Sequence, residues 1–392
     1  MSDFELDLQD TETAFADKSD AELKEKYRLF RLLNSPFLNA VGTRLATFAL
    51  STGLPVQSLI KKTIFEQFCG GETIEESARV AKKLGASGIG SILDYAVEGM
   101  STEAAFDATK DEVIRTIERA KGDPNIPFSA FKVTGIAPLG TLERLSAKKR
   151  LDAKSQAKAE RIHSRFEELC AAAHAIRHPV LVDAEFTWHQ DAVDRMATEM
   201  MEKFNRDMPI VYNTIQLYRT DRLQYLRTAR KEASKNGYWL GMKLVRGAYM
   251  EAERERAETM GYPSPIHVDK AATDEDFNAA IEYCLKHLGE LAFVNATHNE
   301  ESATLLARRM HELGLPENHP RVFFSQLYGM GDNISYALAK RGYNVSKYVP
   351  YGPVADAVPY LIRRAEENTS AAGHMSRQLE MITRELKRRK LA

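Results

Sequence analysis

Cysteine is scarce in this 392-residue sequence: Cys69, Cys170 and Cys284 stand singly, with no ligand-like spacing. A disulfide framework and a cysteine-bound structural metal are thereby excluded, and the pattern fits reduced thiols in a cytoplasmic protein. Neither sign of charge is in excess, since 54 Lys and Arg face 55 Asp and Glu. Nothing in that balance argues for nucleic acid as a partner. No apolar run reaches the length of a membrane span. Residues 1–20, MSDFELDLQDTETAFADKSD, are acidic and have neither an apolar core region nor an Arg-rich amphipathic pattern, so no secretory signal or transit peptide is expected. What is present is 44% hydrophobic residues, enough for one large core with an appendage.

The apolar residues change their rhythm along the chain. Residues 1–86 carry no convincing strand; DAELKEKYRLFRLLNSP and SLIKKTIFEQFCGG have helical spacing, and TIEESARVAKKLG opens with a Thr followed three residues later by Glu, a capping-box pattern. From Gly88 short β-branched runs recur: GIGSILDYAVE, IPFSAFKVTGI, HPVLVDAEF, PIVYNTIQ, WLGMKLVRGAY, LAFVNATHN, RVFFSQLYG and NVSKYVPYG. Amphipathic segments of helix length separate them. Eight strand-helix alternations predict a (β/α)8 barrel over 87–375, after a helical segment 1–86 and before a basic helix or tail, 376–392. An open doubly wound sheet would need a phosphate-binding glycine turn after its first strand. GASGIGS (Gly85–Ser91) is glycine-rich but follows a helix and leads into a strand, the wrong order for that turn.

In such a barrel chemistry sits where the strands end. The predicted strand ends carry Lys132, Asp183, Glu185, Gln216, Lys243, Arg246, Tyr249, Thr297, His298, Asn299, Gln326 and Tyr348. Two lysines and an arginine converging with one aspartate among them suit anionic groups. The segment YLIRRAEENTS adds Tyr360, Arg363, Arg364 and Glu367 on one broad helix face. After the loop YGPVADAVP this helix is expected over the barrel mouth, where two guanidinium forks and Lys132 would fix a small carboxylate. HAIRH offers His174 and His178 at metal-pair spacing on a predicted helix, but no acidic third ligand follows, and no metal is expected.

KLVRGAYMEAE, ATHNEES, QLYGMGD and YVPYGP followed by PYLIRRAEEN resemble the flavin-dependent proline dehydrogenase family, and within it the shorter one-function members. The resemblance runs from about Phe128 to Ser370 and implies a distorted (β/α)8 barrel whose eighth helix covers the mouth. It implies FAD as cofactor, L-proline as substrate, Δ1-pyrroline-5-carboxylate as product and a membrane quinone as electron acceptor. A pyrroline-5-carboxylate dehydrogenase would then use the product, and the enzyme would be cytoplasmic or peripheral on the inner membrane face. By similarity Arg363, Arg364 and Lys132 bind the substrate carboxylate, and Leu327, Tyr348 and Tyr360 wall its ring. Asp183 balances charge beside the lysine, and Lys243 supports the reduced flavin. Gln216, Lys243, Arg246, Gly247, Ala248, Tyr249, Thr297, His298, Asn299, Gln326, Arg364 and Glu367 match flavin-contacting positions, with Lys270, Thr273 and Ser370 toward the adenosine and phosphate end. One departure stands out: many members have Arg where this chain has Lys243, and Lys where it has Arg246.

A competing reading is a Schiff-base aldolase using Lys132 or Lys243 as nucleophile. It leaves the paired arginines of the cap without a task unless its substrate is also anionic.

Overall fold

The computed structural model describes residues 4–33, 60–97, 99–369 and 374–391, with the side chains of 365–369, 374 and 375 outside that description. Eight parallel strands close into a barrel in chain order: β1 Ile89–Tyr95, β2 Phe128–Lys132, β3 Val180–Asp183, β4 Val211–Gln216, β5 Leu240–Val245, β6 Leu291–Ala296, β7 Val322–Leu327 and β8 Val345–Tyr351. Each strand falls inside one of the eight apolar segments. Closure is made by β8 against β1, from Ile89 beside Val345 to Tyr95 beside Tyr351. A strand covered by helices outside and packed side chains inside has no wet face, which is why VLVD of β3 is buried at every position.

The lead-in follows its local signals. Thr73 caps the helix Ile74–Gly85, its hydroxyl accepting from Glu76 N at 3.3 Å while the Glu76 carboxylate accepts from Glu72 N at 2.7 Å. The helix gives out at the glycine-rich turn, where Gly88 takes φ +72°, and β1 follows at once. The turn therefore links helix to strand.

Inside the barrel Ile92, Phe128, Ala130, Leu181, Tyr212, Ala292, Val294 and Tyr348 form one buried cluster. Phe128 packs edge-on against Tyr212 and Phe323, with ring centres 5.4 and 4.9 Å away. The barrel floor is thus filled, and the cavity opens toward the C-terminal ends of the strands.

A second core lies against the barrel. Phe15, Leu23, Phe30, Phe65 and Phe68 from the N-terminal segment pack with Val354, Tyr360 and Leu361 of the helix Val354–Thr369 and with Met381, Ile382 and Leu386 of the helix His374–Arg388. Burying side chains of this size contributes about 1.5–3 kcal/mol each. The C-terminal helix is thus a packed element. Its basic end is tied down: Arg388 and Arg389 bond Glu385, Arg389 also reaches Asp20, and Arg384 reaches Gln9.

One expectation is corrected here. The helix carrying His174 ends at Ala175, Arg177 turns the chain at φ +55°, and His178 sits just before β3, with Nε2 3.0 Å from Ser129 Oγ. The two histidines do not share a helix face.

Candidate active site

Strand register brings the predicted residues together. β2 and β3 pair with Lys132 beside Asp183, β4 and β5 with Thr214 beside Lys243, and β7 and β8 with Leu327 beside Tyr348. Because side chains alternate across a strand, Thr214 and Gln216 of β4 and Lys243 and Val245 of β5 all face the cavity at the mouth. That cavity has a volume of about 490 Å³, within the range of small-molecule sites.

Its floor is a buried ionic cluster. Lys243 Nζ donates to Asp183 Oδ1 at 2.6 Å, and the Tyr348 hydroxyl donates to Asp183 Oδ2 at 2.6 Å. Lys132 Nζ donates to Asp94 Oδ2 at 2.7 Å. Burial pushes the carboxyl of Asp183 up, but Lys243 and Lys132 outweigh it and hold the group below the usual carboxylate range. Asp94 goes the other way: burial dominates, Lys132 only partly offsets it, and Asp183 adds to the rise. The Tyr348 phenol is pushed well up by burial and the neighbouring carboxylates, so it stays a donor at neutral pH.

Arg246 is held as a fork: Nε donates to Asp274 at 2.7 Å, one terminal nitrogen to Thr297 Oγ1 at 2.6 Å, and the other to Ser302 Oγ at 2.9 Å. Its plane lies over Phe277, 4.3 Å from the ring centre. Nearby, Lys270 is exposed and paired with Asp274, while Thr273 is buried. Asn299 caps the helix Glu300–Glu312 through Ser302 N, and His298 Nε2 accepts from Leu327 N at 3.3 Å. Gln216 donates to Glu185 O, and Gln326 donates to Thr297 O and accepts from Ser335 Oγ. Glu185 itself is engaged by Thr134, from both N and Oγ1, which gives it a structural task.

The helix Val354–Thr369 crosses the opening, as expected of the segment after β8. Tyr360, Arg363 and Arg364 line the cavity from above, Arg364 with its guanidinium 5.1 Å from the centre of the Tyr360 ring and Arg363 5.8 Å from that of Tyr249. The adjoining face of this helix, with Val354, Ala357 and Leu361, is held in the second core, and Tyr360 belongs to both. The Glu367 side chain and Ser370 lie outside the described residues.

The cavity therefore gathers Lys132, Asp183, Gln216, Lys243, Arg246, Gly247, Ala248, Tyr249, Lys270, Thr273, Thr297, His298, Asn299, Gln326, Leu327, Tyr348, Tyr360, Arg363 and Arg364. Sequence reasoning missed Asp94, Thr214, Tyr218 and Met330. Asp94 sits one residue before the end of β1, where strand-end logic applies, but the apolar run around it disguised it. Two buried atoms in the lining, Thr214 Oγ1 and Tyr218 OH, have no hydrogen-bond partner among the described residues. Gly247 takes φ +136°, and a Cβ there would come within 2.5 Å of the Tyr218 ring, so the backbone approaches the cavity bare. Orphaned donors, a bare glycine edge and cations at one end suit a flat polyfunctional ligand bearing phosphates.

Comparison with known proteins identifies the family. The family described as proline dehydrogenase matches residues 77–377. Proline dehydrogenase 1, mitochondrial, of Arabidopsis thaliana is 35% identical, over 90% of this chain and 79% of its own length. The carbapenem antibiotics biosynthesis protein CarD of Pectobacterium carotovorum is 37% identical, over 88% of this chain and 90% of its own. Among solved structures, proline utilization A from Bdellovibrio bacteriovorus superposes with a TM-score of 0.71 at 20% identity, covering 95% of this chain and 40% of that longer one. That likeness speaks for the fold. With most of its length matched by the family and by relatives above the one-third identity mark, this chain belongs to the proline dehydrogenase family.

Proposed function

We propose that this protein oxidises L-proline to Δ1-pyrroline-5-carboxylate with FAD, passing the electrons to a membrane quinone. The observation that carries this reading is the cavity itself. Arg363 and Arg364 line it from the cap, Lys132 lines it from the barrel, and Leu327, Tyr348 and Tyr360 supply an apolar wall between them. Guanidinium forks and an ammonium match one carboxylate, and aromatic edges match a saturated ring. FAD supplies the two-electron acceptor. Residues fit to hold it are Gly247 and Ala248 at the bare backbone edge, Thr214 and Gln216 from β4, and Arg246, Lys270 and Thr273 at the cationic end.

The protein's own part is positioning and charge. Arg363, Arg364 and Lys132 hold the carboxylate, which fixes the ring in one orientation. Tyr348 is itself fixed by donating to Asp183, so the wall it forms is rigid. Lys243, oriented by its bond to Asp183, stands where negative charge develops during oxidation. The cap helix excludes water. The aldolase reading draws no support from the site, because the nitrogens of Lys132 and Lys243 are each engaged by a carboxylate within 2.7 Å, where a Schiff base would need one aimed at a carbonyl.

A pyrroline-5-carboxylate dehydrogenase is the consumer this chemistry requires, and a quinone acceptor requires contact with a membrane. Among the described residues no helix is long and apolar enough to cross one, so that contact would be peripheral, on the inner membrane face. The test is spectroscopic: the purified protein should show flavin absorption bands that bleach on anaerobic addition of L-proline. A colourless protein, or bands indifferent to proline, would refute the assignment.

A further inference from the structure

Under the cavity two carboxylate–ammonium pairs flank one phenol. Asp94 of β1 holds Lys132, Asp183 of β3 holds Lys243, and the two ammonium groups lie 6.0 and 4.7 Å from the centre of the Tyr348 ring. The pairs are not equivalent. Asp183 uses both oxygens, one for Lys243 and one for Tyr348. Asp94 is fully buried and uses only Oδ2; its Oδ1 has no hydrogen-bond partner among the described residues. A carboxylate oxygen with open lone pairs, shut away from water, is costly to leave bare and well suited to receive a proton.

We propose that Asp94 is the proton store of the site: when a substrate carboxylate docks on Lys132, Asp94 takes up one proton. The inference rests on the reading of Lys132 as a carboxylate-binding group. Its physical basis is like-charge repulsion in a dry site. Lys132 has one positive charge, and an incoming carboxylate competes with Asp94 for it. The groups facing Asp94 are Lys132 from β2, Asp183 from β3, Tyr348 from β8 and the buried thiol of Cys69 ahead of β1. Of these Lys132 favours the ionised form most, with a smaller contribution from the Tyr348 hydroxyl, so sharing Lys132 tips the balance. Burial already pushes Asp94 up while the two lysines hold Asp183 down, so the added charge is felt first at Asp94. For an amino-acid substrate the proton is at hand, because a secondary ammonium must shed one before its C–N bond can be oxidised. The N–H bond breaks, the electron pair stays on nitrogen, and an O–H bond forms at Asp94.

The sign of the effect is fixed by linkage. Proton uptake on binding means that affinity falls as pH rises, by up to about tenfold per pH unit for one proton. The full chain carrying its cofactor is titrated calorimetrically with cyclopentanecarboxylate, which has the ring and the carboxylate but no amine to donate a proton or be oxidised. Buffers of different ionisation enthalpy, from neutral to mildly alkaline pH, give the proton count. The expected result is an uptake approaching one proton per ligand, lost in Asp94→Asn together with the pH dependence of affinity, while binding itself persists. Absence of uptake across that range, or uptake unchanged in Asp94→Asn, overturns the proposal. If Asp94→Asn does not fold, Asp94→Glu keeps the carboxyl but moves it, and a pH midpoint unmoved by that change overturns the assignment equally. Failure of the wild type to bind the ring carboxylate at all would overturn the reading of Lys132 first, and the proposal with it.

Discussion

Two buried aspartates, Asp183 and Asp332, have nearly the same surroundings and opposite prospects. Asp332 accepts from Lys26 Nζ at 2.6 Å and from Lys347 Nζ at 2.8 Å; Asp183 accepts from Lys243 and Tyr348 at 2.6 Å each. Burial raises both carboxyls and lysines more than offset it, so both lie below the ordinary carboxylate range. The difference is in what closes the far side. Lys26 comes from the N-terminal helix Asp20–Leu33, which seals Asp332 between that helix and the barrel. Asp183, Lys243 and Tyr348 instead form the wall of the cavity at the barrel mouth. Ion pairing and burial alone do not mark a functional carboxylate. Space beside it does.

Breaking the sealed cluster should have the largest effect on stability and none on chemistry. Lys26→Met leaves a buried carboxylate with one bonded lysine instead of two, a loss on the order of 3 kcal/mol in chemical denaturation, with KM and turnover for proline unchanged. A loss of activity matching the loss of stability would erase the distinction between the two aspartates. The acid side offers a related check. An aspartate whose native pKa is depressed adds stability that is present above its unfolded value of about 3.9 and is lost as pH falls through the native one. Asp332→Asn should therefore flatten the acid limb of the stability curve, measured as denaturation midpoint against pH.

Breaking the open cluster should do the reverse. Lys243→Met is expected to keep fold and FAD but slow proline-dependent flavin reduction by about 10²-fold, since on the proposed function its charge acts where negative charge develops. Stopped-flow reduction measures this, and an unchanged rate would remove Lys243 from the site. Arg363→Met and Arg364→Met should each weaken proline binding by about 1.5–3 kcal/mol by deleting a charge-assisted bond in a desolvated cavity. Near-normal Michaelis constants in both would dissolve the carboxylate clamp.

The smallest effect sharpens the wall of the pocket. On the proposed reading Tyr348 lies against the substrate ring and would leave little room for a hydroxyl there, so proline should be preferred over trans-4-hydroxy-L-proline by roughly 1–3 kcal/mol. Tyr348→Ser opens that space but also strips Asp183 of its phenolic donor, so efficiency with proline should drop while the preference narrows or reverses. The ratio of the two specificity constants decides: if it does not move, Tyr348 does not bound the ring.

The sequence by itself determined the eight strands, their order and the helix across the mouth. Hydrophobic rhythm and turn residues are local quantities, and a strand buried on both faces announces itself as an unbroken apolar run. It also determined most of the residue types at the mouth, because polar residues ending such runs are conspicuous. Lys132, Asp183, Lys243 and Tyr348 were all legible in this way. What only the tertiary structure decided is who pairs with whom. Asp94 and Lys132 are 38 residues apart, Asp183 and Tyr348 165, and barrel closure sets those distances through strand register, which no local pattern encodes. The same holds for the second core. The helices at the two ends of the chain each show an apolar face, but only their packing against the cap helix turns those faces into the support that holds Arg363 and Arg364 over the cavity.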